Sequence, residues 1–558
     1  MIPYLGELAA EDRLERHTLL DQTFVKTSSV ELALRDNTVF VCGRKGAGKT
    51  AVIHYLEHDY HVDGRLTTSL KHKDYEALQV NLAIDIVDKL LVGTNGYNAL
   101  IITYKRIWQY LLDAQMLFAL NAAVKSGFIP GPLDDISNFV SATARASAVL
   151  HVEEKVHSLL VRHSESSLSK TDFHRVIGLC MDDPAFRKAK QQALGVLDNV
   201  SFMLLIDTME QYNIADAGLY PFQGLCEAVL DFHNEYAHQR VSIKCFLPAE
   251  MTEHLFGQTR AKFLQHAAYL NWSYSELIRL VGSRFAYYLK TRVKDSQALD
   301  KAKELEERIK TLEDTEGPRN RLARNLVWLC FAPPKITNRL GQREDSCAYL
   351  IRHTQKRPRE VLCSMNHILM QANANSMSPT VTAIQEKDIV GGLHSSENLH
   401  SLINDTLAAF AVPFQREKAA DVIARIMNNE PRIFPHSRLR RIIKRAFANQ
   451  EFLDQDRARM TDKKSLVTEL RRMLFRSGLI GEVDHESIHV LDAATNQTLR
   501  YYCTRFEYVR PGLLEPNELS TCAMHPMLAD YVHAPDTNSP KGIVYHLPEE
   551  EDVQEGIA

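Results

Sequence analysis

Thr38-Val39-Phe40-Val41-Cys42-Gly43-Arg44-Lys45-Gly46-Ala47-Gly48-Lys49-Thr50 is the stretch on which the reading of this chain turns. The apolar run at 38–42 predicts a short buried strand. Val52, Ile53, Tyr55 and Leu56, at helical spacing, predict a helix beyond the turn. Gly43 to Thr50 fit G-x-x-x-x-G-K-[ST] at every fixed position. The glycines let the backbone turn tightly so that successive N–H groups face phosphate oxygens, and the helix N-terminus adds a favourable dipole. Lys49 is placed for the β- and γ-phosphates and Thr50 for Mg2+. Gly43, Arg44, Lys45, Gly46, Ala47, Gly48, Lys49 and Thr50 are therefore the expected nucleotide-binding residues.

A bound triphosphate needs a carboxylate on a nearby strand to hold its metal. Val200 to Ile206 form a second apolar run that ends at Asp207, with Glu210 three residues on. Asp207 is expected to hold Mg2+ together with Thr50, at the end of a strand where open α/β sheets bind ligands. Glu210 is expected to orient the attacking water or act as general base. A third run, Val241 to Leu247, is a plausible neighbour of the Asp207 strand. It ends at Pro248 with no polar sensor, and Glu250 is a weak substitute. Short buried strands separated by helices predict a parallel α/β sheet.

The rest of the chain bounds the answer. It has 558 residues, 66 Lys+Arg against 70 Asp+Glu, and a net charge of −4, so no global field favours a nucleic-acid or membrane partner. Nine single cysteines without a CxxC pair predict reduced, buried thiols in a cytosolic protein. The N-terminus reads as no signal peptide. The most apolar long segment, from Asn98 to Leu120, is interrupted by Lys105, Arg106 and Asp113, so no membrane partner is expected. A long helix is predicted from Tyr97 to about Lys125, and strands are expected to stop after about residue 255.

The loop, the Asp207-x-x-Glu210 strand end, a helical region and a late helix-plus-hairpin unit together resemble the STAND and AAA+-related ATPases, with their lid and C-terminal winged helix. The plus-three acid is closer to STAND and NACHT-type enzymes. Trp272–Ile278, Ser283–Phe285, Arg352–Arg359, Phe506–Tyr508 and Met524–Met527 further resemble a poorly characterised bacterial P-loop ATPase family. The resemblance implies an α/β fold: a parallel-sheet P-loop NTPase core with helical insertions, then an all-α lid and a winged-helix domain. Applied to this chain it gives a core at 1–254 with a helical insertion at about 97–196, a lid at 255–378, a winged-helix-like domain at 379–548 and an acidic tail at 549–558. ATP and Mg2+ are the implied cofactors. Pro358 predicts a helix start, and the likeness points to Arg359 as the arginine that senses the γ-phosphate. Arg284 is a second candidate, acting on a neighbouring subunit.

The implied activity is a Mg-dependent ATPase switch, self-associating and acting on a separate effector or regulatory protein. Antiviral defence is implied by resemblance alone. Residues 432–476 carry thirteen basic and five acidic residues, a local surplus of eight. That stretch keeps open a second reading, a DNA-binding initiator or loader that meets nucleic-acid phosphates through its winged helix. A third is a nucleotide-bound scaffold without turnover. His525 is expected to be structural.

Overall fold

The computed structural model describes residues 5, 15–62, 64–71, 96–142, 145, 147–164, 178–207, 220–252, 260–293, 295–314, 318–376, 381–410, 418–448, 463–484, 487–492, 497–509, 517–535 and 542–546. Contacts group the chain into two units. One comprises Ser28–Arg44 and Lys49–Leu270; the other comprises Met1–Thr27, Lys45–Gly48 and Asn271–Ala558.

The first unit is built on five parallel strands: β1 (Phe40–Gly43), β2 (Leu66–Leu70), β3 (Phe202–Asp207), β4 (Val241–Pro248) and β5 (Ala267–Tyr269). Their order is β2-β3-β4-β1-β5. Phe40 to Cys42, and Phe202 to Ile206, are buried without interruption, as strands covered on both faces must be. Among the described residues, four helices lie in sequence between β2 and β3: Gly96–Lys125, Asp134–Ala142, Ala148–Ser164 and Pro184–Leu197. The first packs closely on the Tyr220–Glu235 helix because Gly224 has no side chain. A Cβ there would stand 2.7 Å from Lys105 N and from Tyr104 Cβ. Trp108 Nε1 donates to Pro221 O across the same contact (3.0 Å). Leu111, Leu112, Met116, Leu117 and Leu120 are buried in this unit's core, which accounts for the apolar run at 98–120. Among the described residues, no helix is long and apolar enough to cross a membrane.

Strands do not stop at 255. β5 follows, pairing Phe40 with Ala267 and Cys42 with Tyr269 on the free side of β1. At three residues it is too short to show a period. Its neighbour β1 also depends on Lys244, a fully buried lysine of β4, whose Nζ donates to Arg35 O (2.5 Å) and Thr38 O (2.6 Å). Those bonds satisfy the chain that leads from the Ser28–Leu34 helix into β1.

The second unit has an α-helical part with its own apolar cluster. Its helices are Tyr274–Tyr288, Ser296–Glu313, Pro318–Leu329, Ser346–Arg352, Pro358–Asn375 and Glu386–Leu393. It includes a short antiparallel hairpin, β6 (Lys335–Thr337) with β7 (Arg343–Asp345). A separate cluster is formed by helices Ser396–Leu407, Ala419–Met427, His436–Ala448, Lys463–Arg476 and Pro526–Tyr531. These pack with a sheet of β8 (Ile433–Pro435), β9 (Ile480–Val483), β10 (Ile488–Asp492), β11 (Gln497–Arg505), β12 (Thr521–Met524) and β13 (Ile543–His546). The order is β10-β11-β9-β12-β8, with β13 beside β11. β10 and β11 pair antiparallel, as the late helix-plus-hairpin unit anticipated. The tail at 549–558 lies outside the described residues. All nine cysteines are unpaired, and eight are buried; Cys330 is half-buried.

Candidate functional site

The glycine turn divides between the units, so each part is described within its own. In the first unit, β1 delivers Gly43 and Arg44, and a helix starts at Lys49 and runs to Val62. Lys49 is 3 % exposed; its Nζ reaches back to Gly43 O (2.9 Å) and Arg44 O (3.3 Å). Thr50 is half-buried on the first turn of that helix. Arg44 is buried beside Glu250, Nε to Oε1 3.6 Å. Glu250, weighed as a substitute sensor, thus faces an arginine of the turn.

Asp207 ends β3 and is half-buried. It lies level with Phe246 of β4, and Phe246 lies level with Val41 of β1. Asp207 and the strand that feeds the glycine turn are therefore two strand spacings apart, about 9–10 Å, with β4 between them. Burial, with Cys42 and Asp207 nearby, holds the Cys245 thiol well above its usual range. Glu210 lies outside the described residues.

In the second unit, Lys45, Gly46 and Ala47 present three successive carbonyls to three donors. Arg357 Nη1 donates to Lys45 O (2.9 Å), Arg359 N to Gly46 O (3.4 Å), and Trp272 Nε1 to Ala47 O (2.9 Å). A trans peptide is planar, with its C=O and N–H opposed. Each bonded carbonyl therefore turns the next residue's amide, that of Gly46, Ala47 or Gly48, away from its own donor. The amides of Gly46 and Gly48 donate no hydrogen bond to the described residues. Their φ angles, +82° and +101°, belong to the left-handed region that glycine enters without strain. A Cβ on Gly46 would also stand 3.0 Å from Arg359 Cβ.

Arg359 and Arg357 have different roles in this geometry. The helix does begin at Pro358, and Arg359 sits on its first turn, half-buried, with its backbone against Gly46. Its guanidinium makes no hydrogen bond or ion pair to the described residues. Arg357 is buried, bonded to Glu360 and to Thr406 Oγ1 (2.8 Å) as well as to the turn. Arg357 and Trp272 lie in segments that carry the resemblance, but sequence reasoning assigned them no role at the turn, because their partners lie far away along the chain. Arg284 is only 7 % exposed, and burial lowers its pKa to about 10. An arginine so covered is not presented to a neighbouring subunit.

A second polar cluster lies elsewhere in this unit. Asp530 Oδ2 is 2.9 Å from both His353 Nε2 and His394 Nδ1. His353 Nδ1 bonds Tyr349 O (2.7 Å), and His394 Nε2 meets the Tyr349 hydroxyl. The donor types would suit a metal. However, Asp530 Oδ1 already faces Arg339 and Arg432, each at 3.3 Å. A dication would join two guanidinium charges around one carboxylate, so the cluster reads as a structural ionic latch. His525 is likewise structural: it is fully buried, accepts from Met527 N through Nδ1, and meets Tyr508 OH through Nε2.

The basic stretch is visible in part. The His436–Ala448 helix exposes Arg440, Arg441, Lys444 and Arg445, while Leu439, Ile442 and Ile443 are buried. Arg440 and Arg445 pair with Glu518 (3.4 Å) and Glu430 (3.6 Å); Arg441 and Lys444 pair with no described residue. Arg457 and Arg459 lie outside the described residues. No protein-family model matches this chain, and no curated protein is similar to it.

Proposed function

We propose that the chain is a nucleotide-driven switch that binds Mg·ATP at residues 43–50 and hydrolyses it. The observation that carries this reading is the set of three capped carbonyls at 45, 46 and 47, each of which turns the following amide away from its donor. Successive amides, where they converge, would form an anion-binding concavity. Thr50 and Asp207 would hold Mg2+, directly and through water. Arg359, whose guanidinium has no described partner, would meet the γ-phosphate. Glu210 would serve the attacking water. The preference for ATP over GTP rests on the resemblance to STAND and AAA+-related ATPases.

In this reading residues 255–378 act as the lid and residues 379–548 as a winged-helix-like domain. The wiring of the last cluster supports the second assignment: helix, β8, two described helices, β9, the β10–β11 pair on one side of β9, and then β12 seated between β8 and β9. Nucleotide state would alter the lid, and a separate protein or a further copy of the chain would read the change, in a cytoplasmic setting. A defence role follows only from the family likeness.

The test is ATP binding and turnover by the full chain against Lys49→Ala. We expect the variant to lose both; undiminished turnover in purified Lys49→Ala would remove the assignment. Glu210→Gln is expected to bind ATP without hydrolysing it, whereas a scaffold without turnover would be indifferent to that change.

The exposed Arg441 and Lys444 favour one further reading, contact with duplex DNA. It predicts binding that weakens steeply with salt and is lost when Arg440, Arg441 and Lys444 are reversed to glutamate. Absence of salt-sensitive binding by the wild-type chain would discard it.

A further inference from the structure

We propose that Trp272 is the positioning residue of the glycine turn: it sets the peptide plane that aims the Gly48 amide, and its indole reports when that amide is occupied. The inference rests on reading the turn as a phosphate site.

Indole Nε1–H is a donor with no acceptor function, so its bond to Ala47 O at 2.9 Å fixes the direction of that carbonyl. The opposite end of the same peptide plane is the Gly48 N–H. Trp272 also supplies the floor under that residue, since its Cζ2 lies 3.8 Å from where a Cβ on Gly48 would stand. One side chain thus controls both the tilt and the depth of the Ala47–Gly48 peptide.

The indole is itself held. Trp272 directly precedes Ser273, the N-cap of the Tyr274–Tyr288 helix. Glu276 N donates to Ser273 Oγ (3.3 Å), and Ser273 N donates to Glu276 Oε2 (2.8 Å), a reciprocal cap that fixes the entry of the chain into the helix. Next to it, Tyr274 is buried, with the Arg324 guanidinium and the Lys356 ammonium over its ring at 5.2 and 5.3 Å. Its hydroxyl meets Tyr545 OH of β13 at 2.6 Å. A flexible tryptophan could not orient a peptide; this one stands on a pinned helix start.

The geometry predicts a separation between donor and ring. Trp272→Phe removes the N–H but keeps an aromatic floor, whereas Trp272→Ala removes both. The expected result is a Kd for Mg·ATP, and for inorganic pyrophosphate, raised about fivefold to tenfold in Trp272→Phe and further in Trp272→Ala. A purely structural tryptophan would lower the melting temperature and leave Kd unchanged.

Fluorescence offers a second measurement that needs no variant to be fully stable. The chain has three tryptophans, and Trp108 and Trp328 are each 2 % exposed within apolar cores. Saturating Mg·ATP should therefore change the wild-type emission through the half-buried Trp272, and that change should be absent from Trp272→Phe.

The outcomes separate. If the wild-type chain binds neither ATP nor pyrophosphate by calorimetry, the phosphate reading of the turn falls, and this inference with it. If it binds them, and Trp272→Phe binds equally tightly or wild-type emission is unaltered at saturation, the role of Trp272 is overturned while the site stands.

Discussion

Arg357 donates to the carbonyl of Lys45 at 2.9 Å across 312 positions of sequence. Its other terminal nitrogen serves Glu360 and Thr406, and Glu360 in turn accepts from Gln355 N (2.6 Å). Gln355 Nε2 continues the series to Ser477 O (2.8 Å). Within one unit, an unbroken set of buried polar bonds thus runs from the glycine turn to the end of the Lys463–Arg476 helix. Such networks rigidify a core most when every member is satisfied, and here Gln355 Oε1 is buried without a hydrogen bond to the described residues.

Arg357→Ala should therefore cost more than a surface arginine does. It strands the Glu360 carboxylate, which is 2 % exposed, and the expected loss is about 3–5 kcal/mol in urea unfolding. Arg343→Ala, which breaks an exposed pair with Glu386, should cost about 1 kcal/mol or less. Equal losses in the two variants would show that the buried network has no special weight.

Gly46→Ala tests the turn directly. The new methyl must adopt φ near +82° and displace Arg359 Cβ at 3.0 Å. We expect ATP affinity to fall at least about tenfold, with about 1–2 kcal/mol lost from the strained backbone alone. Gly64→Ala is the control, because φ there is +70° but nothing lies within 4 Å. It should share the strain and keep the affinity. ATP binding unaffected by Gly46→Ala would argue that no ligand uses this loop.

The Asp530 latch predicts sensitivity to acid. Burial, then Arg352, lowers His353 to about 4, the Asp530 hydrogen bond pulling the other way. Burial would raise Asp530, but the His353 and His394 hydrogen bonds outweigh it and hold the carboxyl well below its usual range. Both ring nitrogens of His353 nonetheless face acceptors, Tyr349 O and Asp530 Oδ2, which only the protonated ring satisfies, so the acid sensitivity is assigned to Asp530. Its contribution to stability is present above about 3.8 and is lost as pH falls below that value. The urea midpoint should drop as pH falls below about 3.8, and Asp530→Asn should flatten that slope. An unaltered slope in the variant would place the acid sensitivity elsewhere.

Lys244 gives the opposite signature. Burial lowers it to about 8, with Asp36 pulling upward. From pH 8 to 10.5 the folded chain has released a proton that the unfolded chain still holds, so this group's contribution to stability rises with pH. Buried thiols such as Cys42, pushed up by burial, act in the other direction, so the measured quantity is the difference between wild type and Lys244→Met. That difference should grow in favour of wild type across the window; a constant difference would contradict the assignment.

Much of the parallel sheet was legible in the sequence. β1 and β3 are apolar on both faces, β4 is so apart from Ser242 and Lys244, and a nearly continuous apolar run needs no tertiary information to be recognised. β2, with Thr67, Thr68 and Ser69 at its centre, and the three-residue β5 carry no such signal. They become strands because β3 and β1 offer them unpaired edges. At the candidate site, the glycines and Lys49 were legible because their spacing is local. Trp272 and Arg357 were not, since a donor to a carbonyl more than two hundred residues away has no local pattern. The separation of Asp207 from β1 by β4 was equally a matter of topology.

The distribution of thiols has a practical consequence. With eight of nine sulfhydryls inside apolar packing, and Cys330 half-covered with Sγ 3.4 Å from Leu326 O, a mild alkylating dye offered to the native chain should attach chiefly at one place. Position 330 is thus a ready-made attachment point for a spin label or fluorophore, and the delayed reaction of the remaining eight would serve as a clock for global unfolding.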